Sequence, residues 1–157
     1  MKMVDTTEYL SVLKELVEEG REVHLRIAGD SMVPFLRHNR DEVFFCKPKE
    51  ALRKGDIVFY QREGGQFVMH RIQRVRPEGY YLIGDNQTVI EGPVARGQIF
   101  GIVTKVIRNG VEMGPGDFWW EAFARVWIRM IPLRRFVLRV YRMLIKIGKK
   151  VHGRKEK

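Results

Sequence analysis

The sequence has little of what would support several common classes of small protein. Its single cysteine, Cys46, excludes an intramolecular disulfide framework and any metal site with several thiolate ligands from one chain. The segment from Met1 to Gly20 has neither a charged-then-apolar pattern nor a run of about 20 apolar residues. We therefore expect no cleavable signal peptide and no N-terminal membrane helix. A length of 157 residues predicts one domain with its own core.

Negative charge is scarce in only one part of the chain. Residues 117–157 contain twelve Lys/Arg and three Asp/Glu, whereas residues 1–116 contain seventeen and sixteen. The intervening Gly114, Pro115 and Gly116 break regular structure. We therefore predict a nearly neutral domain over 1–116 and a basic tail over 117–157.

Residues 1–116 read as one helix followed by short strands. Tyr9, Leu10, Leu13, Leu16 and Val17 recur at helical spacing. Strand-like runs follow in EVHLRIAG, EVFFCK, GDIVFY, QFVMHRIQRV, GYYLIGD and QIFGIVTKVI, and Asn109-Gly110 is a hairpin signal. The pattern predicts a mainly β fold, a sandwich or partly open barrel with an N-terminal helix.

Three segments carry residues suited to nucleophilic catalysis. In AGDSMVP, Ser31 stands in a Gly-Asp-Ser turn at a strand end, where free N–H groups could stabilise an oxyanion. His70, in QFVMHRIQRV, could accept the serine proton. Asp85, in YLIGDNQ, could orient the imidazole, although a turn-forming role is the simpler interpretation. Taken singly, each segment also fits a purely structural interpretation.

The order of the motifs is more informative than any one of them. GDSMVP, KGDIVFY, MHRI, GDNQ, GPV and IFGIV follow one another between Arg26 and Val106. This series resembles the type I signal peptidases and the related self-cleaving, LexA-like repressors. The resemblance implies that Ser31 is the nucleophile. Histidine at position 70, where many members have lysine, is similar to the archaeal and endoplasmic-reticulum branch of the family.

The sequence departs from that family at two places near the site. Gly29 stands where some members have a Ser or Thr oxyanion donor, so the oxyanion hole would depend on backbone N–H groups. Ile90 and Glu91 stand where the histidine branch has two acids, so one acid is missing. Asp85 and Glu91 therefore compete as the third member of a triad, and Asp85 is slightly favoured because it directly follows a strand.

The basic tail lacks the composition of a membrane span. Pro132 should divide it into two helical halves, each with an apolar stripe and a basic stripe. Arginines near a bilayer centre cost about 2.5–3.5 kcal/mol each, so an amphipathic helix lying on an anionic membrane surface fits better. The alternatives are packing on the β domain or on a second copy of the chain. Nucleic acid is the least favoured partner.

These observations predict a serine endopeptidase of the signal-peptidase type that processes peptides or precursor proteins. The resemblance implies an extended substrate with small residues on the acyl side of the cleaved bond, and we expect Gly29, Met32, Tyr81 and Ile83 to line its site. No metal or cofactor is implied. We expect the protein at a membrane surface or in the cytoplasm. A self-cleaving regulator and a non-catalytic peptide-binding module on the same fold are the alternatives.

Overall fold

A computed structural model describes residues 6–49 and 51–152. Helix α1 (Thr6–Glu18) precedes all the strands, and a short 3-10 turn (Arg96–Gln98) lies before β7. The strands are β1 (Val23–Arg26), β2 (Glu42–Cys46), β3 (Ile57–Gln61), β4 (Phe67–Arg76), β5 (Gly79–Ile83), β6 (Glu91–Val94), β7 (Ile99–Arg108) and β8 (Val111–Met113). Helix α2 (Phe118–Glu121) continues through a π turn (Ala122–Val126) and a 3-10 turn (Trp127–Arg129), and α3 (Ile131–His152) follows.

The strands form one antiparallel sheet in the order β1-β2-β7-β3-β4-β5-β6, with β8 paired to β7. The prediction of a mainly β fold with an N-terminal and a C-terminal helical part is therefore confirmed, the strands forming an open sheet. Asn109 and Gly110 connect β7 to β8 with positive φ angles of 50° and 79°, as a two-residue hairpin turn requires.

Apolar side chains of the sheet and of both helical parts share one core. Leu13 and Val17 of α1 pack with Val43 and Phe45 of β2, because alternate residues of a strand face the same side. A second, smaller hydrophobic cluster is formed by buried residues on and next to the strands: Leu52, Val58, Tyr60, Ile72, Leu82, Val94 and Ile99.

The start of the basic tail belongs to the main core. Trp120, Phe123, Trp127 and Leu138 are buried there against residues that include Phe35. The chain changes from strands to helices near Gly116, but the residues on both sides of it contribute to the same hydrophobic core. For this part of the tail, the packing alternative describes the structure better than a free amphipathic helix. Trp120 and Trp127, which a tail lying on a membrane would present to lipid, are only 5% and 8% exposed.

Helix α3 has a second apolar face that the domain does not cover. Leu133, Phe136, Leu144 and Ile147 are between 52% and 68% exposed. Ile147 follows the buried Leu138 by about 2.5 helical turns, so it lies on the opposite side of the helix. Among the described residues, no helix has the length and hydropathy needed to cross a bilayer.

Candidate active site

Ser31 lies in the loop that follows β1, and a second loop fixes the position of its backbone. Asn86 donates from its backbone N–H to the Ser31 carbonyl at 2.8 Å, and its side-chain amide donates to the Asp30 carbonyl at 3.1 Å. The two loops approach so closely that a Cβ on Gly84 would lie 2.6 Å from the Ser31 carbonyl oxygen. Glycine at position 84 is therefore required for this approach.

His70 lies in β4 opposite Val58 of β3, and its side chain is 2% exposed. It shares a cavity of about 260 Å³ with Ser31. Gly29 and Met32, two of the four expected substrate-site residues, also line this cavity, and so do Ile27, Ala28, Arg62, Gln66, Phe67, Val68, Met69 and Gln87. The structure therefore brings the serine and the histidine of the motif series to one concave site.

The polar groups of Ser31 that catalysis would use are unoccupied. Among the described residues, neither the hydroxyl nor the N–H of Ser31 makes a hydrogen bond. The Ser31 hydroxyl and the His70 ring line the same cavity without a hydrogen bond between them. In the absence of substrate, catalytic hydrogen bonds are often long and tighten only in the substrate complex. Both groups are thus available to a ligand in the cavity.

A chain of hydrogen bonds leads from His70 to the protein surface. The Nδ1 atom of His70 lies 3.2 Å from the Tyr60 hydroxyl, which donates to Glu91 Oε2 at 2.6 Å. Arg62 donates to both Glu91 oxygens, each at 2.7 Å. Glu91 is therefore linked to His70 through the tyrosine hydroxyl, and no direct hydrogen bond joins the two side chains among the described residues.

This chain determines which His70 nitrogen carries the proton. A tyrosine hydroxyl has one hydrogen, and here that hydrogen points to Glu91. The Tyr60 oxygen can then only accept, so Nδ1 of neutral His70 carries its hydrogen and Nε2 keeps a free lone pair. Such a tautomer is what a general base facing a serine requires.

Burial and neighbouring charges favour the protonation states of His70, Tyr60 and Glu91 that this hydrogen-bond chain requires. Desolvation lowers the pKa of His70 to about 4, so the ring is neutral near pH 7. Hydrogen bonds from Arg62 hold the pKa of Glu91 below its usual value, and burial followed by the bond to Glu91 raises the pKa of Tyr60. Glu91 is therefore ionised while Tyr60 keeps its proton.

Asp85, the acid that we slightly favoured as the partner of His70, has a different partner. Its two carboxylate oxygens accept hydrogen bonds from Arg71 Nε and Nη2 at 3.0 and 2.9 Å, and both side chains are fully buried. No hydrogen bond joins Asp85 to His70 among the described residues. The geometry therefore replaces Asp85 with Glu91 in the candidate site.

Two of the expected substrate-binding residues also lie elsewhere. Tyr81 donates its hydroxyl to Glu78 and lies against Arg74, while Ile83 is fully buried. Neither lines the cavity at Ser31. The walls of this cavity come mainly from β4 and the loop after β1, with Arg62, Gln66 and Gln87 completing them.

Sequence reasoning missed Tyr60 and Arg62. Both lie at or just after β3, two residues apart, and alternate strand residues share a face. Both contact Glu91, which lies about 30 residues further along the chain. These contacts depend on the order of strands in the sheet, so no local sequence pattern could have predicted them.

Comparison with known proteins bears on the same part of the chain. The model of the Peptidase S24-like family matches residues 2–107, about two thirds of the sequence. The match ends within β7, so the helices after Gly116 lie outside it. A comparison with curated proteins found none that matches this chain.

Proposed function

Because the chain belongs to the Peptidase S24-like family, a family of serine peptidases, we propose that it is an endopeptidase of the signal-peptidase type. It would process peptides or precursor proteins through Ser31 and His70. The observation that carries this proposal is the shared cavity, in which a serine with a free hydroxyl faces the same space as a buried, neutral histidine.

In the proposed mechanism, the Ser31 hydroxyl oxygen attacks the scissile carbonyl while His70 Nε2 accepts its proton. The carbonyl oxygen becomes an oxyanion, which the N–H of Ser31 is free to stabilise. Protonated His70 then gives the proton to the leaving amine as the C–N bond breaks. Water hydrolyses the acyl-enzyme by the same route and regenerates Ser31.

Tyr60 and Glu91 take the place of a direct acid in this mechanism. The Tyr60 oxygen holds Nδ1–H of His70 and thereby fixes the ring orientation and tautomer. Glu91 holds the tyrosine hydrogen, and its negative charge favours the imidazolium that forms during attack. Arg62 keeps Glu91 ionised. Tyr60, Glu91 and Arg62 are thus proposed as positioning residues.

An apolar hollow next to the cavity suits the acyl side of the substrate. It measures about 410 Å³, shares Ile27 and Met69 with the Ser31 cavity, and is further lined by Leu10, Leu25 and Phe59. The small residues that the family resemblance implies would bind at this side. A self-cleaving regulator on the same fold remains the second candidate, since the family includes such proteins.

The exposed face of α3 is proposed to hold the enzyme against an anionic membrane surface. Its apolar residues point away from the domain, and Arg135, Arg139 and Lys146 follow along one flank. Apolar burial at the lipid boundary and attraction to anionic headgroups act together in such helices.

A serine-directed fluorophosphonate probe tests the enzymatic proposal with an internal control. The chain has two serines, Ser31 and Ser11, and the Ser11 hydroxyl donates to the Thr7 carbonyl within α1. We expect labelling of the wild type and of Ser11→Ala, and none of Ser31→Ala. His70→Ala should label far more slowly, whereas His24→Ala should not differ from the wild type.

Labelling that persists in Ser31→Ala would contradict the proposal. Intact-mass measurement of the unlabelled protein separates the two candidates. A peptidase acting on other chains keeps its mass, whereas a self-cleaving regulator loses a fragment in the wild type and not in Ser31→Ala.

A further inference from the structure

A strongly basic groove lies beside the loop that contains Ser31. It has a volume of about 880 Å³ and lies between the C-terminal half of α3 and the loop that follows Ser31. Its cationic lining residues are Arg37, Arg40, Arg142 and Lys149. Among the described residues, Asp30 is the only carboxylate that lines it.

Three of these cations have no carboxylate partner. Arg40 pairs with the buried Asp41 at 2.7 Å. Within the described part of the chain, Arg37, Arg142 and Lys149 make no ion pair. Arg142 instead donates to the neutral amide of Asn86 at 3.2 Å, and Arg37 lies over the Tyr141 ring. The groove therefore carries positive charge that the protein does not neutralise.

The groove adjoins the loop that carries Ser31. Asp30 and Asn86 line it, and Asn86 is the residue that holds the Ser31 carbonyl. Asp30 is the chain neighbour of Ser31, so the groove begins one residue away from the serine along the chain, and each extended residue of a substrate can span about 3.3–3.6 Å toward it.

We propose that this groove binds an acidic segment of the polypeptide substrate, next to the bond that Ser31 cleaves. The inference rests on the proposed peptidase function and adds a substrate class to it. A polypeptide fits better than a lipid headgroup because Arg142 and Lys149 lie on the domain side of α3, whereas Phe136 and Ile147 point the other way. Steering by unpaired cations would also favour acidic substrates at low salt.

Binding can be measured without cleavage, in the Ser31→Ala protein. The probes are fluorescein-labelled oligoglutamate, oligoglutamine and oligolysine peptides of equal length, followed by fluorescence anisotropy. We expect oligoglutamate to bind most tightly and to weaken as salt rises. The double variant Arg37→Glu/Lys149→Glu should bind it roughly tenfold more weakly, the scale set by two exposed ion pairs.

The matched control is Arg21→Glu/Lys54→Glu, which makes the same change in net charge at exposed residues outside the groove. Equal binding of oligoglutamate and oligoglutamine, or equal weakening in both double variants, overturns the proposal. So does a groove variant that loses binding to anionic vesicles while keeping oligoglutamate, because the groove would then be a headgroup site.

Cleavage of a mixed peptide library by the wild type, read by mass spectrometry, completes the experiment. The proposal expects acidic residues enriched on one side of the cleaved bonds, and that enrichment should disappear in the groove variant. Cleavage with no acidic enrichment overturns the groove proposal alone. Absence of any cleavage contradicts the peptidase function instead, while the anisotropy results still report on the groove.

Discussion

Arg71 and Asp85 form a bidentate ion pair, and both side chains are fully buried. The third nitrogen of the Arg71 guanidinium, Nη1, donates to the Gly55 carbonyl at 3.0 Å. The backbone carbonyl of Asp85 in turn accepts from Trp127 Nε1 at 3.0 Å. This pair therefore links β4, the 84–87 loop and the helical segment, and the same loop holds Ser31.

The first prediction concerns the stability that this pair provides. Asp85→Asn should lower the free energy of unfolding by about 3–5 kcal/mol, because it leaves Arg71 charged, buried and without its counter-ion. Denaturant unfolding measures the change, and Glu78→Gln, at an exposed carboxylate, is the control. If Asp85→Asn retained normal stability but lost activity about 10⁴-fold, Asp85 would be the catalytic acid after all.

The sequence predicted the parts of this molecule that depend on local pattern. Alternation of apolar residues located six of the strands, and Asn109-Gly110 located the hairpin before β8. Strand β6 (Glu91–Val94) was missed, since a four-residue strand containing Gly92 and Pro93 has no such pattern.

The site was less predictable because its partners are set by sheet order. The sequence slightly favours Asp85 over Glu91, whereas the neighbouring positions of β3, β4 and β6 place Glu91 in the hydrogen-bond chain to His70. Arg134 illustrates the same limit in the tail. No local pattern marks this arginine out, yet its side chain is fully buried and donates to the carbonyls of Gly84, Gln87 and Trp127.

The second prediction tests the hydrogen-bond chain behind His70. Tyr60→Phe should lower kcat by roughly 10²-fold with little change in KM, because it removes the acceptor that orients His70 and not a group that binds substrate. Glu91→Gln should also lower kcat, since the Tyr60 hydrogen loses its charged acceptor. The matched control is Tyr81→Phe, whose hydroxyl bonds Glu78. Normal kcat in both Tyr60→Phe and Glu91→Gln would leave Ser31 and His70 as a simple dyad.

The third prediction concerns pH. The base is active only when neutral, so kcat/KM should fall with decreasing pH near the lowered pKa of His70, about 4, and not near the usual 6.5. Stability changes in the same range. Between pH 6.5 and 4 the unfolded chain binds a proton at this histidine and the folded chain does not, so unfolding becomes easier as pH falls. Circular dichroism at each pH separates the two effects, and a midpoint near 6.5 in folded protein would contradict the prediction.

The fourth prediction concerns removal of the helices. A chain ending at Pro115 should aggregate, because it uncovers Phe35 and removes Trp120, Phe123 and Trp127 from the core. It also removes the donors that Arg134 and Trp127 provide to the 84–87 loop. Light scattering and near-ultraviolet circular dichroism give the outcome. A soluble, folded and active fragment would show that the helices are dispensable.

The fifth prediction separates membrane binding from this packing role. Phe136→Ser/Leu144→Ser/Ile147→Ser changes only exposed side chains of α3 and should leave stability nearly unchanged. The intact protein should sediment with anionic vesicles, and the triple variant should lose most of that binding because the apolar contribution is gone. Val75→Ser/Val89→Ser/Val111→Ser, at exposed valines away from α3, is the matched control and should bind normally.

The salt dependence of vesicle binding measures the electrostatic contribution to membrane binding by α3. Each basic residue near an anionic surface contributes about 1 kcal/mol, and the attraction falls off within a Debye length of about 10 Å at 0.1 M salt. High salt should therefore weaken vesicle binding of the intact protein without eliminating it, and should eliminate what remains in the triple variant. If the intact protein instead ignores vesicles and self-associates, with the triple variant monomeric in sedimentation velocity, the exposed face of α3 binds a second copy of the chain.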